Sequence, residues 1–375
     1  KHFKKAIESN FPGRSLVHGR SANLTRQLNG RGPCQYRNLC HRGCPFSAAF
    51  ASQATTLAAA AVTKKMTLRP DSIVHSVIYD AKKSRAIGVR VIDAITKEMT
   101  EYYAKIIFLN AGTLNTTLIL MNSNDNPRFA HGLGNESGVL GQNLMDHNYR
   151  GRASAKVEGF LDTYYKGRRP TGFYIPRFRN HGGDKRTDFV RGYSMGGETS
   201  RESWGRGMWE DGFGADFKTS LTKPGIWTIG MHGMGETLPN PDNRVTLNTN
   251  IRDPWGMPTL DIDCQWHENE DTMLKDIMQT MHEMLDKAGF KDIEVGNSQE
   301  PPGRGIHEMG TARMGRDPKT SMLNKWNQLH AVPNVFVTDG ACMASNACQN
   351  PSVTYMALTA RAVDHAVEAL KKREL

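Results

Sequence analysis

The chain lacks any run of apolar residues approaching the ~20 needed to span a bilayer as a helix. Its opening segment, Lys1–Arg20, is basic and has no apolar core of the kind an export signal carries. It has no Gly-x-Gly-x-x-Gly, the glycine loop on which a dinucleotide pyrophosphate rests, and no internal repeat or low-complexity tract. No Met stands at position 1, and KHFKKAIESN reads as entry part-way through a helix. Acidic residues are in deficit, 38 against 48 basic ones, leaving a formal charge of +10. The excess is scattered, with only short groups at Lys166–Arg169 and Lys371–Arg373, so it reads as a solvated basic surface and argues against nucleic-acid binding. A hydrophobic share of 38% and a charged share of 23% exclude a disordered chain. The length of 375 residues suffices for one large or two ordinary domains.

What is present alternates between helical and strand patterns. Residues 1–50, rich in Gly, Arg and Cys, read mostly as loop, and Ala-rich Ser52–Val62 as a helix without a breaker. Short β-type runs follow at Met66–Arg69, Ser72–Asp80, Ala86–Ile92 and Met99–Tyr103. Lys105–Asn110 is continuously apolar, as in a strand buried on both faces, and leads through Ala111-Gly112 into a helix at Leu114–Met121. A strand, a small-residue turn and a helix start form a phosphate-facing arrangement in α/β folds. From Tyr149 to Phe217 the strand signals are irregular; Ile226–Met234, Arg244–Asn248 and Thr259–Trp266 read as strands. In Asn269–Ala288 the residues Met273, Ile277, Met281 and Met284 recur at helical spacing, which predicts a core stripe, and Gly289 stands where a helix-ending glycine belongs. The chain closes with a strand at Asn334–Thr338, a turn at Asp339-Gly340 and a helix from Pro351 to Lys371.

Two constellations carry chemistry. Near the C-terminus stand Ile306–Gly315 (IHEMGTARMG), Asn334–Gly340 (NVFVTDG) and Asn350–Arg361 (NPSVTYMALTAR). Pro351 suits a first helical turn, and the amides after it face outward with a helix dipole behind them. Histidine is the natural base for a hydroxyl proton near neutral pH, which makes His307 a candidate, with Asn350 able to hold the same oxygen. Taken alone, a loop histidine is more often a satisfied structural residue. The second constellation is Cys34, Cys40 and Cys44, spaced C-x5-C-x3-C among Gly32, Pro33, Gly43 and Pro45. With no fourth cysteine nearby, the spacing suits a 3Fe-4S cluster. His41 completing a zinc site, or free thiols, or a disulfide plus a spare, remain open on spacing alone. Cys342 and Cys348 are near enough in sequence to pair, but nothing requires it.

These stretches, in this order, resemble the glucose–methanol–choline (GMC) oxidoreductases, whose pattern is His-x-x-Gly-Thr-x-x-Met-Gly, Val-x-Asp-Gly and Asn-Pro-x-x-Thr with Ala-Leu-x-x-Arg. Gly141–His147 (GQNLMDH) resembles a further family element joining the flavin and substrate regions, and Glu236–Leu247 resembles the family's substrate-domain sheet. The resemblance implies an α/β and α+β fold: a Rossmann-like FAD-binding domain lacking its first βαβ unit, and a substrate domain with a mostly antiparallel sheet. It divides the chain into 1–50, a Cys-rich loop region; 51–147, part of the FAD domain; 148–305, the substrate domain; and 306–375, the active-site loop and the end of the FAD domain. It implies His307 as base and Asn350 as the second active-site residue. Asp339 and Gly340 would lie at the FAD pyrophosphate, Asn110, Ala111 and Gly112 near the adenosine, and Val74 against the adenine by its backbone. Asn350, Pro351 and Val353 would approach the flavin ring. Some bacterial members carry C-x5-C-x3-C here and hold 3Fe-4S with it. Leu28–Phe50, Gly88–Asp93 and Tyr164–Arg179 resemble the subgroup of glucoside 3-dehydrogenases and gluconate 2-dehydrogenase flavin subunits. The implied reaction is oxidation of a sugar or glycoside hydroxyl. Its partners would be a small subunit and a cytochrome c acceptor, in the periplasm. An oxygen-using oxidase, and a non-catalytic remnant without its phosphate loop, are the alternatives.

Overall fold

The computed structural model describes residues 1–163 and 171–375; Lys166–Arg169 and the start of the Tyr164–Arg179 stretch lie outside them. In chain order the elements are α1 (His2–Asn10), β1 (Val17–His18), α2 (Thr56–Val62), β2 (Ser72–Asp80), β3 (Arg85–Asp93), β4 (Met99–Tyr103), β5 (Ile107–Leu109) and α3 (Thr113–Asn122). Then follow β6 (Gly151–Val157), β7 (Phe173–Ile175), β8 (Tyr193–Arg201), α4 (Gly214–Leu221), β9 (Trp227–Gly235), β10 (Arg244–Arg252) and β11 (Pro258–Asp263). The last elements are α5 (Glu268–Lys287), β12 (Lys291–Asn297), β13 (Val335–Val337) and α6 (Ser352–Lys371). The chain divides into two units, each built from three segments.

The first unit comprises Lys1–Leu68, Tyr149–Met234 and Thr272–Gln299. Its sheet has the order β1-β7-β8-β9-β6-β12, and β1–β7, β7–β8, β9–β6 and β6–β12 pair antiparallel. Along β6 the side chains alternate: Gly151, Ala153, Ala155 and Val157 are buried, while Ser154 and Lys156 are exposed. That alternation is the two-residue period of a sheet with one covered face. The cover is α5, whose Met273, Ile277, Met281 and Met284 are all fully buried. Close approach of helix and sheet needs glycine at two positions: a Cβ on Gly151 would stand 2.7 Å from Ile277 Cγ2, and one on Gly233 2.4 Å away. Phe3 and Ile7 of α1 complete this core.

The second unit comprises Arg69–Asn148, Gly235–Asp271 and Glu300–Leu375. Residues 235–271, grouped by sequence with 148–305, lie in this unit. Strands β2-β3-β4 form an antiparallel sheet and β10-β11 a second antiparallel pair. Strands β5 and β13 pair parallel, Ile107 beside Val335 and Leu109 beside Val337. Both strands are apolar on both faces because both are covered: Ile107, Leu109, Val335 and Val337 join Ile119 and Leu120 of α3 in one core. On the opposite face Phe108 stacks on Phe336 at 4.7 Å, with Ala362 and Ala366 of α6 against Phe336. The result is a mixed architecture, a parallel pair with helices in one unit and an antiparallel sheet in the other.

Three expectations change. Met66–Arg69 forms no strand; it is largely exposed and ends at Pro70, so no face of it is buried. The irregular region holds β6, β7 and β8, the last carrying Gly196 and Gly197 in its middle. These glycines blur the alternation, yet Gly197 is required, since a Cβ there would stand 2.1 Å from the Gly230 carbonyl. Strand β12 is polar along most of its length, with an alternation limited to Ile293 and Val295, which pack on the core; it pairs to β6. Among the described residues no helix is long and apolar enough to cross a membrane.

Candidate active site

The parallel pair delivers two turns to one end of the second unit. After β5 the chain passes through the exposed residues Asn110, Ala111 and Gly112 into α3; after β13 it passes through Asp339 and Gly340. Gly112 sits at φ +87°, a backbone state that suits glycine. The two turns are tied together: Asp339 Oδ2 accepts from Gly112 N at 3.0 Å and from Thr116 Oγ1 at 2.5 Å, while Oδ1 accepts from Ala341 N. Burial pushes the Asp339 carboxyl above its ordinary pKa against the pull of these donors. Asn110 Oδ1 accepts from Thr338 N and Oγ1, a second tie. Asp339 therefore uses its carboxylate to hold the turns. Gly340 is buried: a Cβ there would stand 2.2 Å from Thr113 Oγ1 and 2.4 Å from the Glu308 carbonyl.

The loop carrying His307 is held from below by Asp146. Its Oδ2 accepts from Gly303 N and Gly305 N, each at 2.8 Å, and its Oδ1 from His307 N at 3.1 Å and His147 N at 2.8 Å. This clamp holds Ile306 at φ +53°, a strained state for a β-branched residue, which persists only where the surroundings over-determine it. His307 Nε2 lies 3.0 Å from Asn350 Nδ2, although 43 positions separate them in sequence. His307 Nδ1 lies 3.1 Å from His147 Nδ1, and His147 Nε2 lies 3.1 Å from the Asn346 carbonyl. His147 is fully buried; burial, with the neighbouring His307 adding to it, pushes its pKa down to about 4. Burial also lowers His307, opposed by Asp146 and Glu308. Asp146, His147 and His307 bring ligand-type atoms within 4.8 Å of one another. With both oxygens of Asp146 engaged by amides, the trio reads as a hydrogen-bonded relay and not as a metal site.

Asn350 is exposed and Pro351 buried at the entry to α6, whose first residues, Ser352 and Val353, are exposed, Val353 by 78%. First-turn amides of α3 and α6 have no intrahelical acceptor. Val74 is half-buried in β2, paired with Val91 just before a bulge at His75, and packs against the core that also holds Leu109 and Ala341. The sequence reading treated Asp146 and His147 only as part of a joining motif. Thr237, within the Glu236–Leu247 stretch, donates to the Asp146 carbonyl, and Asn346, which no motif marks, accepts from Thr237 N at its Oδ1.

In the first unit, Cys34, Cys40 and Cys44 line one cavity. Tyr36, Asn38 and Ser47 adopt positive φ around it, as does Gly43, so the loop curls back repeatedly. Each sulfur has a donor: Tyr36 N to Cys34 at 3.4 Å, Asn23 Nδ2 to Cys40 at 3.9 Å and Ala48 N to Cys44 at 3.3 Å. The backbone amide of Ala49, helped by those of Phe46 and Ala48, lowers the Cys44 thiol pKa. Cys342 and Cys348 are free thiols, both buried.

Family comparison decides what this arrangement belongs to. Two profiles, both described as GMC oxidoreductase, match residues 17–149 and 239–359. The chain belongs to the GMC oxidoreductase family. It is 32% identical over 294 residues to 2-methyl-1,2-propanediol dehydrogenase of Mycolicibacterium austroafricanum, covering 76% of this chain and 51% of that one. It is 26% identical to the fructose dehydrogenase large subunit of Gluconobacter japonicus, covering 94% of this chain and 62% of that one. A formate oxidase variant from Aspergillus oryzae RIB40 shares the fold, with a TM-score of 0.56 and 16% identity over 82% of this chain and 61% of that one. This GMC chain thus spans between half and two-thirds of the length of these relatives.

Proposed function

We propose that this chain forms the larger part of an FAD-dependent dehydrogenase that oxidises a secondary hydroxyl of a sugar or glycoside. The observation that carries the reading is the His307–Asn350 pair, 3.0 Å apart at the entry to α6. It combines a base and a hydrogen-bonding amide, the two groups needed to bind and deprotonate one hydroxyl. The residues present fit the cofactor: the first-turn amides of α3 and α6 have no intrahelical acceptor and are donors suited to phosphate oxygens and an electron-rich ring, and the turn at Asn110–Gly112 that leads into α3 is exposed. Bound FAD would supply the acceptor for the hydride leaving the carbinol carbon. His307 Nε2 would take the hydroxyl proton, so that C–H and O–H break and C=O forms. Asn350 would hold the substrate oxygen in place. The cavity lined by Cys34, Cys40 and Cys44, with backbone amides donating to Cys34 and Cys44, supports this reading: the three thiolates would hold a 3Fe-4S cluster, which would supply the one-electron exit that a cytochrome c acceptor needs. The same reading carries a small subunit and a periplasmic location as its expected setting. An oxidase using oxygen would need no such exit. The test is anaerobic mixing of the full-length flavoprotein with a panel of sugars and glycosides. Bleaching of the flavin absorbance by at least one is expected; no bleaching by any of them, with simple primary alcohols active instead, would overturn the substrate class.

A further inference from the structure

Resting on the reading of His307 as the base, we propose that His147 is a positioning residue that sets where the proton of His307 sits, keeping the Nε2 lone pair on the Asn350 side to receive the substrate proton. The argument begins at a backbone carbonyl. The Asn346 carbonyl only accepts, so its 3.1 Å contact with His147 Nε2 requires N–H at that nitrogen. His147 is completely buried, and the nearest carboxylate, Asp146, is engaged by four backbone amides. A buried imidazole in that setting stays neutral. This agrees with the lowered pKa of about 4, even with Asp146 pulling the other way. Neutral and protonated at Nε2, His147 presents a lone pair at Nδ1. The 3.1 Å contact between the two Nδ1 atoms is then a bond donated by His307 Nδ1–H. A neutral His307 with its hydrogen on Nδ1 has its lone pair on Nε2, 3.0 Å from the Asn350 amide nitrogen. The polarity of the whole chain therefore runs one way, from a carbonyl that cannot donate to the base that must accept. The rings meet edge to face at 88°, so the Nδ1–Nδ1 bond also fixes the rotation of His307 about its Cβ. When His307 takes the proton on Nε2, Nδ1–H keeps donating to His147, and the deeply buried His147 stays neutral.

The first test needs no substrate, so its failure is separable from failure of the proposed reaction. In the full-length holoenzyme labelled with 15N-histidine, near pH 7.5, long-range 1H–15N correlation should show His307 Nδ1 as the protonated nitrogen and Nε2 as the unprotonated one. His307→Gln would assign the signals. The reverse tautomer, or an averaged signal, would overturn the proposal. The second test compares His147→Phe, which keeps a ring but has no acceptor, with His147→Asn. The Asn side-chain oxygen takes the place of Nδ1, and the side chain is too short to reach the Asn346 carbonyl. At saturating substrate His147→Phe should lower kcat at least tenfold with KM within about threefold, and mix the His307 tautomers. His147→Asn should restore most of kcat and the single tautomer. Equal loss in both variants would mean that His147 acts only through Asn346, and the proposal would fall. If His147→Phe does not fold, the tautomer of the unaltered holoenzyme decides alone.

Discussion

At the scale of single residues, the site depends on which groups are buried and what they touch. His307 is half-buried with one nitrogen at Asn350 and the other at His147. Replacing His307 with Ala in the full-length enzyme should lower kcat by roughly 10²–10⁴-fold, the usual worth of general-base catalysis. FAD content should stay near normal, because the turns tied by Asp339 do not use the imidazole; activity within a few-fold of the unaltered enzyme would remove His307 from the role. His147 makes a second prediction. Its folded pKa of about 4 lies below the ordinary 6.5. The unfolded chain therefore binds the extra proton first as pH falls, and the contribution of neutral His147 is complete above about 6.5. It is lost as pH drops towards 4. At about 1.4 kcal/mol per pH unit this amounts to something on the order of 3 kcal/mol. His232, held down to about 4 by burial, has the same sign. Urea midpoints measured from pH 7 to pH 4 should fall through that window, and less steeply in His147→Asn.

At the scale of elements, the parallel pair β5–β13 and the helix–sheet contact of α5 depend on small residues at defined places. Ile277 of α5 packs over Gly151 and Gly233, which have no side chains to move into a vacated space. Ile277→Ala should therefore cost about 2–5 kcal/mol, towards the upper end, because the site relaxes poorly. Chemical denaturation of the full chain measures it, and a loss below 1 kcal/mol would show that α5 shifts to fill the gap. The α5 stripe was legible in the sequence, because Met273, Ile277, Met281 and Met284 recur at helical spacing and nothing else in the window competes. Strand β12 was hard to read: its alternation is only two apolar residues long, Ile293 and Val295, among polar and glycine neighbours, and pairing to β6 extends it.

At the scale of the whole molecule, the proposed function needs a proton acceptor and an exit for electrons. Each unit carries one candidate, His307 in the second and the cysteine loop in the first. Cys40→Ser in the full-length, anaerobically handled enzyme should remove the iron signal and stop reduction of cytochrome c, while flavin reduction by substrate persists. Iron at background level in fully flavinated, unaltered protein would defeat the cluster and shift weight to an oxidase. Six of the residues singled out from sequence, Asn110, Gly112, His307, Asp339, Asn350 and Pro351, fall in the second unit within one set of loops and helix starts. They were legible because each sits in a short motif whose order survives in one dimension.

By itself the sequence determined the element types with strong periodicity, the candidate base, the cysteine trio and the family resemblance. Those are properties of residue kind and spacing, which the chain carries whether or not it is folded. Only the tertiary structure decided that 235–271 joins the second unit, that Asp339 turns its carboxylate inward, and that Asp146 clamps the loop of His307. It alone set His147 against His307 across 160 positions of chain. The physical reason is the same in each case: a buried polar group must find its partner wherever folding brings one, and sequence distance says nothing about which one that is.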